Sequence, residues 1–528
     1  MSELILDSIT SDFGNERRML QLYPSDLLYD APNKQWYLWN EKDGIWKRDT
    51  MGKVAELVKE MIRGIKMEGT AMKDRADTTD VSTIEGKNQK IALDGFAEAL
   101  LRWGNKCQNP ARVKAVLELL QSSVAVLPDD FNRDGHLFNC RNGTLDLKTM
   151  TLLDHNRDHR ITFSSGWDYD PDAKCPKFEA FIARLFQNHP ERTDLIKFVR
   201  MAFGYAISGD TDQQIINLFI GTGNNGKSVL IETIAVSFGD YADSLNGESL
   251  TTVSRGKIRE DLAKLIGKRF VRVSESGKGT TIDEETVKHL TGGSREPICV
   301  RKLYGSSFNF FPKCKIFWSF NHLPKINDMT TSIWRRIKTV PFEESIRESE
   351  KRDMNEIIVE HDKERSGILN WLIAGYNDLI ETKNFNWCNA VKVRTSEYKE
   401  DVDTLGQFFN EVCERWNPEE HIIKTDTVGI DGTKQRYQPL PKDHQVKASD
   451  LYDSYLGFSF ENGVTRPKSL TDFGNEVTER IGRENKVRTT TGVYYRGLRI
   501  RQGMKYENPR KLEMQKMLHF NAIRTLAK

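Results

Sequence analysis

A chain of 528 residues is long enough for roughly three or four domains, each with a core of its own. Hydrophobic residues make up 38% and charged residues 29%, with a formal net charge of +2, a balance that excludes a disordered or membrane-embedded polypeptide. The seven cysteines, Cys107, Cys140, Cys175, Cys299, Cys314, Cys388 and Cys413, form no C-x-x-C pair, which excludes a zinc ribbon and a disulfide framework and points to reduced thiols.

No signal peptide opens the chain and no apolar run approaches the roughly 18 residues that span a bilayer, so the expectation is a cytoplasmic protein of a bacterial host cell with no membrane partner. Residues 1–125 are expected to form an α+β accessory domain. Gln35–Asn40 and Ile45–Arg48 flank the polar turn Glu41–Gly44 as a β-hairpin, whose tryptophans read as a small core rather than a base-stacking surface. Helical periods follow near Val54–Ile65 and Gly95–Trp103, separated by a polar loop.

Residues 126–205 are expected to be a β-rich unit and a helical collar. Phe131–Tyr169 alternates apolar and polar residues around the turn signal Asn142-Gly143. Asp168-Tyr169-Asp170 has the look of a polymerase acid pair, but it runs into Pro171-Asp172 and reads as a solvated loop. Pro176–Ser208 is helical, with Phe178, Phe181, Ile182, Leu185 and Phe186 on one face, followed by Leu195, Phe198, Val199 and Phe203.

The strongest motif lies in residues 206–345. An apolar run, Ile215–Ile220, leads into Gly221-Thr222-Gly223-Asn224-Asn225-Gly226-Lys227-Ser228, which fits G-x-x-x-x-G-K-[ST] and opens an amphipathic helix. Strand, glycine loop and helix in that order let backbone N–H groups converge on phosphate at a helix N-terminus. Lys227 is therefore expected on the β and γ phosphates of ATP and Ser228 on Mg²⁺. Downstream, Gly267–Glu275 reads as a strand ending in an acid suited to Mg²⁺ and to the attacking water. Asp283–Leu290 reads as a helix, Thr291-Gly292-Gly293-Ser294 as a turn, and Ile298–Tyr304 with Phe308–Phe310 as a hairpin. Lys315–Asn321 is a buried strand finishing in an amide, and Ser332–Ile337 a helix.

The motif order G-T-G-N-N-G-K-S, V-S-E, K-H-L-T-G-G, V-R-K-L-Y, W-S-F-N-H-L-P and W-R-R-I-K-T-V-P-F resembles the superfamily 3 helicases, specifically the helicase part of phage, plasmid and poxvirus primase-helicases. The resemblance runs from about Phe131 through N-C-R-N-G-T-L-D-L to about Phe342, and more loosely through Tyr398–Phe409 into the C-terminal domain. It implies an α/β fold: an AAA+ P-loop ATPase core with an N-terminal α+β and helical collar region and a C-terminal winged-helix-like domain. It further implies Glu275 as the acid of the second nucleotide motif, Asn321 as the polar sensor, and Arg335 or Arg336 as a finger inserted into a neighbour's ATP site. The partners it implies are single-stranded and forked DNA and further copies of the chain in a hexameric ring, with a primase, a polymerase or origin DNA beside them. Arg301, Lys302 and Tyr304 match the channel hairpin that grips DNA. Here Ser274 and Ser276 flank Glu275, where many relatives carry two adjacent acids. Roughly 125 residues ahead of the resemblance are too few for the usual primase domain, and no priming activity is expected.

Residues 346–417 are expected to be a helical subdomain, with Asp353–Lys383 helical, and residues 418–446 a linker rich in Gly, Pro, Asp and Lys. Residues 447–528 read as helix (Ser449–Leu456), helix (Ser469–Ile481) and hairpin (Lys486–Ile500). Arg480–Lys528 holds 13 Lys or Arg against 3 Asp or Glu, a footprint suited to nucleic acid. Arg488, Arg496, Arg499 and Arg501 are the candidate DNA contacts of that wing. The reading is an ATP-dependent ring-forming DNA helicase in the replication of a phage or other mobile element. Its alternatives are a primase-helicase with an unusual N-terminal primase and an ATP-regulated initiator that does not unwind DNA.

Overall fold

The computed structural model describes residues 9–254, 259–275, 277, 279–292, 297–301, 307–350, 352–416, 422–423, 436–437, 444–462, 464, 467–509 and 511–512. Contacts divide the chain into two units, Met1–Thr395 and Ser396–Lys528.

The first unit opens with α1 (Asp12–Leu22), capped by the Ser11 hydroxyl accepting from the Gly14 N–H, and β1 (Leu27–Asp30). The expected hairpin follows as β2 (Gln35–Asn40) and β3 (Ile45–Arg48), with Trp39 opposite Trp46. These rings meet edge to face at 5.6 Å, and buried Trp46 donates from Nε1 to the Arg157 carbonyl at 2.9 Å. Trp46 is therefore a core residue, while Trp36 and Trp39 are half-buried.

Next come α2 (Lys53–Asp77), α3 (Ile84–Cys107), α4 (Pro110–Ser123) and β4 (Ala125–Val126). Both long helices outrun the expected spans. Val54, Val58, Met61, Ile62 and Ile65 are the buried stripe that periodicity detects. Beyond it, glycines make room for long side chains of the facing helix: a Cβ at Gly69 would lie 2.9 Å from Leu101 Cγ, and one at Gly104 2.5 Å from Lys66 Cγ. The sheet order is β3-β2-β1-β4, with β4 parallel to β1.

The β-rich unit is an antiparallel meander of β5 (Leu137–Cys140), β6 (Gly143–Asp146) and β7 (Thr151–Leu153), in register Cys140 opposite Gly143. Asp168 pairs with Arg141, whose Nε and Nη2 donate to it at 2.9 and 2.6 Å, as suits an exposed loop rather than an acid centre. Helices α5 (Pro176–Leu185) and α6 (Arg192–Tyr205) then bury Phe178, Ile182, Leu185, Leu195, Phe198, Val199 and Phe203.

The core is built from β8 (Ile216–Ile220), α7 (Lys227–Phe238), β9 (Ala242–Leu245), α8 (Glu260–Ala263), β10 (Phe270–Val273), α9 (Glu284–Thr291), β11 (Ile298–Arg301), β12 (Ser307–Phe310), β13 (Lys315–Phe320), α10 (Thr331–Trp334) and β14 (Ile337–Pro341). Five of these strands form one parallel sheet in the order β14-β8-β13-β10-β9. Its central strands are apolar because both faces are covered; Phe203, Phe238, Phe270 and Phe317 pack as successive ring contacts of 4.6–5.9 Å. The helix expected over Ser332–Ile337 ends at Trp334, since Ile337 leaves it to pair with Ile216 in the sheet. β11 and β12 form the expected separate hairpin, with Arg301 opposite Ser307. Residues 302–306 at its tip lie outside the described residues, as do Gly293 and Ser294 of the expected turn.

Two cations are buried at the N-terminal ends of β10 and β13. Arg269 donates to the carbonyls of Ile207 and Leu137, and Lys315 to that of Ser208. Burial lowers both pKa values, that of Lys315 well below the usual lysine range, while the carbonyls that follow α6 supply the partial negative charge that keeps them inside.

The unit continues with α11 (Met354–Asp362), α12 (Arg365–Thr382) and the first residues of α13 (Asn389–Val402), within which the division at Thr395 falls. α12 packs on α6 at paired glycines: a Cβ on Gly375 would sit 2.1 Å from the Arg200 carbonyl oxygen, and one on Gly204 2.4 Å from that of Leu372. Gly375→Ala is expected to force the helices apart at a cost of about 1–3 kcal/mol, visible as a lower urea midpoint for this unit. β14 is an edge strand, and its Thr339 N–H donates to Thr395 Oγ1 at 3.0 Å instead of to a further strand.

The second unit contains α14 (Thr404–Val412), β15 (Cys413–Arg415), β16 (Ile422–Ile423), β17 (Arg436–Tyr437), β18 (Gln445–Lys447), α15 (Ala448–Glu461), α16 (Leu470–Ile481), β19 (Lys486–Thr489), β20 (Gly492–Arg496) and β21 (Leu498–Ile500). The expected order of helix, helix and hairpin is present, but the hairpin ends at Arg496 rather than Ile500, because Leu498–Ile500 pairs with β15 instead, and β18 adds a third strand in the order β18-β20-β19. β21 pairs back to β15, and Leu405, Phe408 and Val412 of α14 share the core with Phe458, Phe473 and Tyr495. Of the expected linker, residues 418–421, 424–435 and 438–443 lie outside the described residues. Among the described residues no helix is long and apolar enough to cross a membrane.

Candidate active site

β8 ends at Ile220 and α7 starts at Lys227, so the glycine loop joins a central strand to a helix N-terminus. Its curvature needs left-handed backbone: φ is +101° at Gly223, +51° at Asn224 and +73° at Gly226. Gly221 must also be bare, because a Cβ there would meet the Phe342 carbonyl oxygen at 2.4 Å. No side chain caps α7, and its first backbone bond runs from the Leu230 N–H to the Gly226 carbonyl. The N–H groups of Lys227, Ser228 and Val229 thus precede the intrahelical ladder and suit an anion.

Lys227 is buried, and its Nζ donates to the Gly221 carbonyl and to Asn225 Oδ1, both at 2.9 Å. Burial lowers its pKa and the negative charge of Glu275 opposes that shift. Both effects place a cation where an anionic ligand would complete its neutralisation.

Glu275 and Asn321 follow the C-terminal ends of the neighbouring strands β10 and β13. The Glu275 carboxylate accepts from the Asn321 N–H at 3.1 Å and from Asn321 Nδ2 at 3.0 Å. Trp318 Nε1 donates to the Ser274 carbonyl at 3.0 Å, fixing the backbone just ahead of the acid. Gly223–Val229, Glu275, Phe320 and Asn321 line one cavity of about 320 Å³. Lys227, exposed Ser228 and the Glu275–Asn321 pair therefore face a common space, with Gly221 and Thr222 at its strand side. The donor set fits a triphosphate with Mg²⁺: an ammonium and helix N–H groups for phosphate, a hydroxyl and a carboxylate for the ion.

The motif includes Asn225 as a nucleotide-binding position, but its tie to a distant segment has no signal in the sequence, because Asn225 occupies a variable position of the motif. Its buried amide accepts from the Gly223 N–H at 2.8 Å and donates to the carbonyls of Phe342 and Glu344 at 2.9 and 3.2 Å. It ties the loop to the segment after β14. Asn225→Ala leaves those buried groups unpaired, and a loss of about 1–3 kcal/mol in stability with weaker nucleotide binding is expected, measured by thermal shift with and without ATP.

The two candidate fingers differ sharply. Arg336 is 6% exposed and donates to Thr291 Oγ1 at 3.2 Å and to the Ser332 carbonyl. Arg335 is exposed and donates to Gln214 Oε1 at 2.6 Å. It stands at the opposite end of the sheet from the glycine loop. The strand register from Ile216 to Ile220 covers four steps, roughly 13 Å, and Arg335 begins before that span. Its side chain cannot reach the cavity of its own chain.

Of the candidate DNA contacts, Arg301 is exposed at the end of β11, while Lys302 and Tyr304 lie outside the described residues. In the second unit Arg488, Arg496 and Arg501 are exposed. Arg499 instead donates from Nε and Nη2 to Glu414 at 2.9 and 3.0 Å. Arg488 lies opposite Val493 and Lys486 opposite Tyr495, so Arg488 and Arg496 occupy opposite faces of the hairpin.

Residues 16–187 match the family model described as D5 N terminal like, and residues 219–336 match a family of unknown function, DUF5906. A protein of Frog virus 3 (isolate Goorha) named "Putative helicase 022R" is 31% identical over 181 residues, covering 33% of this chain and 18% of that protein. One of African swine fever virus (strain Badajoz 1971 Vero-adapted) named "Putative primase C962R" is 21% identical over 354 residues, covering 63% of this chain and 35% of that protein. The chain resembles the viral primase-helicases. It spans 18% and 35% of the length of these two relatives. A solved structure titled "The A form apo structure of NrS-1 C terminal region-CTR" has 11% sequence identity and a TM-score of 0.43, covering 90% of this chain and 97% of that one. Within this primase-helicase resemblance, the D5-type match takes in the N-terminal sheet, the meander and α5, and the second match takes in the glycine loop, Glu275, Asn321 and Arg335.

Proposed function

We propose that the chain is an ATP-dependent, ring-forming DNA helicase of the superfamily 3, AAA+ kind, acting in the replication of a virus, phage or other mobile element. The observation that carries this reading is the division of one parallel sheet between two chemistries. Lys227, Ser228, Glu275 and Asn321 gather at one end, and exposed Arg335 stands at the other, beyond reach of them. The names of the viral relatives, helicase and primase, agree with it.

In this mechanism Lys227 and the first N–H groups of α7 would hold the phosphates of ATP, and Ser228 and Glu275 would hold Mg²⁺. The ion supplies charge neutralisation and orientation of phosphate oxygens. Glu275, fixed by two bonds from Asn321, accepts the proton of the attacking water. Arg335 enters the site of an adjacent copy and stabilises charge on the transferring group, so hydrolysis depends on assembly, here a hexamer. Arg301 and the rest of the β11–β12 hairpin contact single-stranded DNA through phosphate, a sequence-blind contact suited to translocation. The exposed arginines of the second unit, its winged-helix-like part, hold forked or origin DNA, and a primase or polymerase acts alongside.

The test is ATP-dependent unwinding of a forked duplex by the purified chain. DNA-stimulated hydrolysis without strand separation would sink the helicase reading in favour of an ATP-regulated initiator.

A further inference from the structure

Gln214 sits one residue ahead of Ile215, at the entry to the strand that leads into the glycine loop. Its backbone is in the left-handed region, φ +51°, an uncommon and costly conformation for a residue with a side chain. The conformation is held by its N–H donating to the Thr211 carbonyl at 3.0 Å.

What that backbone achieves is the placement of one amide between two segments. Oε1 accepts from Arg335 Nη2 at 2.6 Å, and Nε2 donates to the Gly292 carbonyl at 3.2 Å. Gly292 is the C-cap of α9, the last helix before the β11–β12 hairpin. Arg335 is the C-cap of α10, just before β14. A glutamine suits this position because a neutral amide accepts and donates at once; a carboxylate could only accept. Behind the exposed amide, Arg336 Nε and Thr291 Oγ1 join the same two segments in the interior at 3.2 Å. The buried bond and the partly exposed amide thus tie the same two segments at two points.

We propose that Gln214 is a positioning residue for Arg335 and couples its direction to the β11–β12 hairpin. Gly292 closes α9, which precedes that hairpin in the chain, and the amide carries a displacement of Gly292 to the guanidinium that serves the next copy's nucleotide. The inference rests on the helicase reading, in which the hairpin meets DNA and Arg335 acts across an interface.

The experiment compares the full chain with Gln214→Gly, Gln214→Glu and Arg335→Ala by ATP hydrolysis with and without a single-stranded oligothymidylate. Gln214→Gly keeps the left-handed backbone at no steric cost and removes both bonds. It is expected to lower the DNA-stimulated kcat about tenfold through misplacement of the arginine, with KM for ATP and thermal midpoint not worsened. Gln214→Glu keeps the bond to Arg335 and loses the bond to Gly292. It is expected to retain more rate than Gln214→Gly, while the ratio of DNA-stimulated to unstimulated rate falls close to one. Wild-type stimulation in both Gln214 variants beside an inactive Arg335→Ala overturns the coupling alone. A fully active Arg335→Ala overturns the finger reading, and the coupling with it. A raised KM or a lowered thermal midpoint in Gln214→Gly overturns the positioning role in favour of a structural one.

Discussion

Lys227→Ala is expected to abolish ATP hydrolysis and unwinding while leaving the chain folded. Among the described residues Lys227 Nζ bonds only groups of its own loop, the Gly221 carbonyl and Asn225 Oδ1. Its burial already disfavours the ammonium. Removing it therefore relieves a desolvation cost and leaves two acceptors facing a cavity open to water. The expected catalytic loss is of another size, because in the proposed function the charge acts on a phosphoryl group inside a confined site. Removal of one preorganised donor typically costs a factor of about 10²–10³ in kcat, and the loss of a full positive charge at phosphate is expected at the upper end or beyond. The measurement is kcat for ATP alongside the circular dichroism melt. Hydrolysis near the wild-type rate in a folded Lys227→Ala protein would place the chemistry elsewhere.

The second large effect concerns Arg335. Arg335→Ala is expected to lower kcat by about 10³-fold or more, the range associated with an arginine finger, with little change in the melt. Arg336→Ala should do the reverse in kind: it empties a buried position bonded to Thr291 and Ser332, so the melt falls first. Mixing distinguishes a finger in trans from a residue acting in its own site. Arg335→Ala chains retain an intact loop, and Lys227→Ala chains retain an intact finger. Mixed assemblies should recover hydrolysis that neither variant has alone. No recovery at any mixing ratio, with mixed assembly verified by labelled subunits, would remove the intersubunit role.

How much of this was legible in sequence depended on the range of the interaction. The glycine loop was legible because strand, loop and helix are contiguous and the spacing of Gly221, Gly226, Lys227 and Ser228 is local chemistry. The partnership of Glu275 with Asn321 was visible only as two polar strand ends, since the bond joins residues 46 apart. Arg335 and Arg336 could not be separated by pattern, because two adjacent residues differ only in which way the turn from α10 to β14 points them. The short strands β1, β4, β15 and β21 have no periodicity to detect; their pairing is supplied by distant partners. The lengths of α2 and α3 were underestimated for the opposite reason. A helix held by glycine contacts lacks the apolar stripe on which periodicity rests.

The hydroxyl of Thr395 has a bearing on handling the protein outside any ring. It occupies the hydrogen-bonding position on the open side of β14 where another chain could otherwise begin to pair with the sheet. Another chain can pair with β14 at this point only by displacing the Thr395 hydroxyl from the Thr339 N–H, so sheet extension from this edge is opposed.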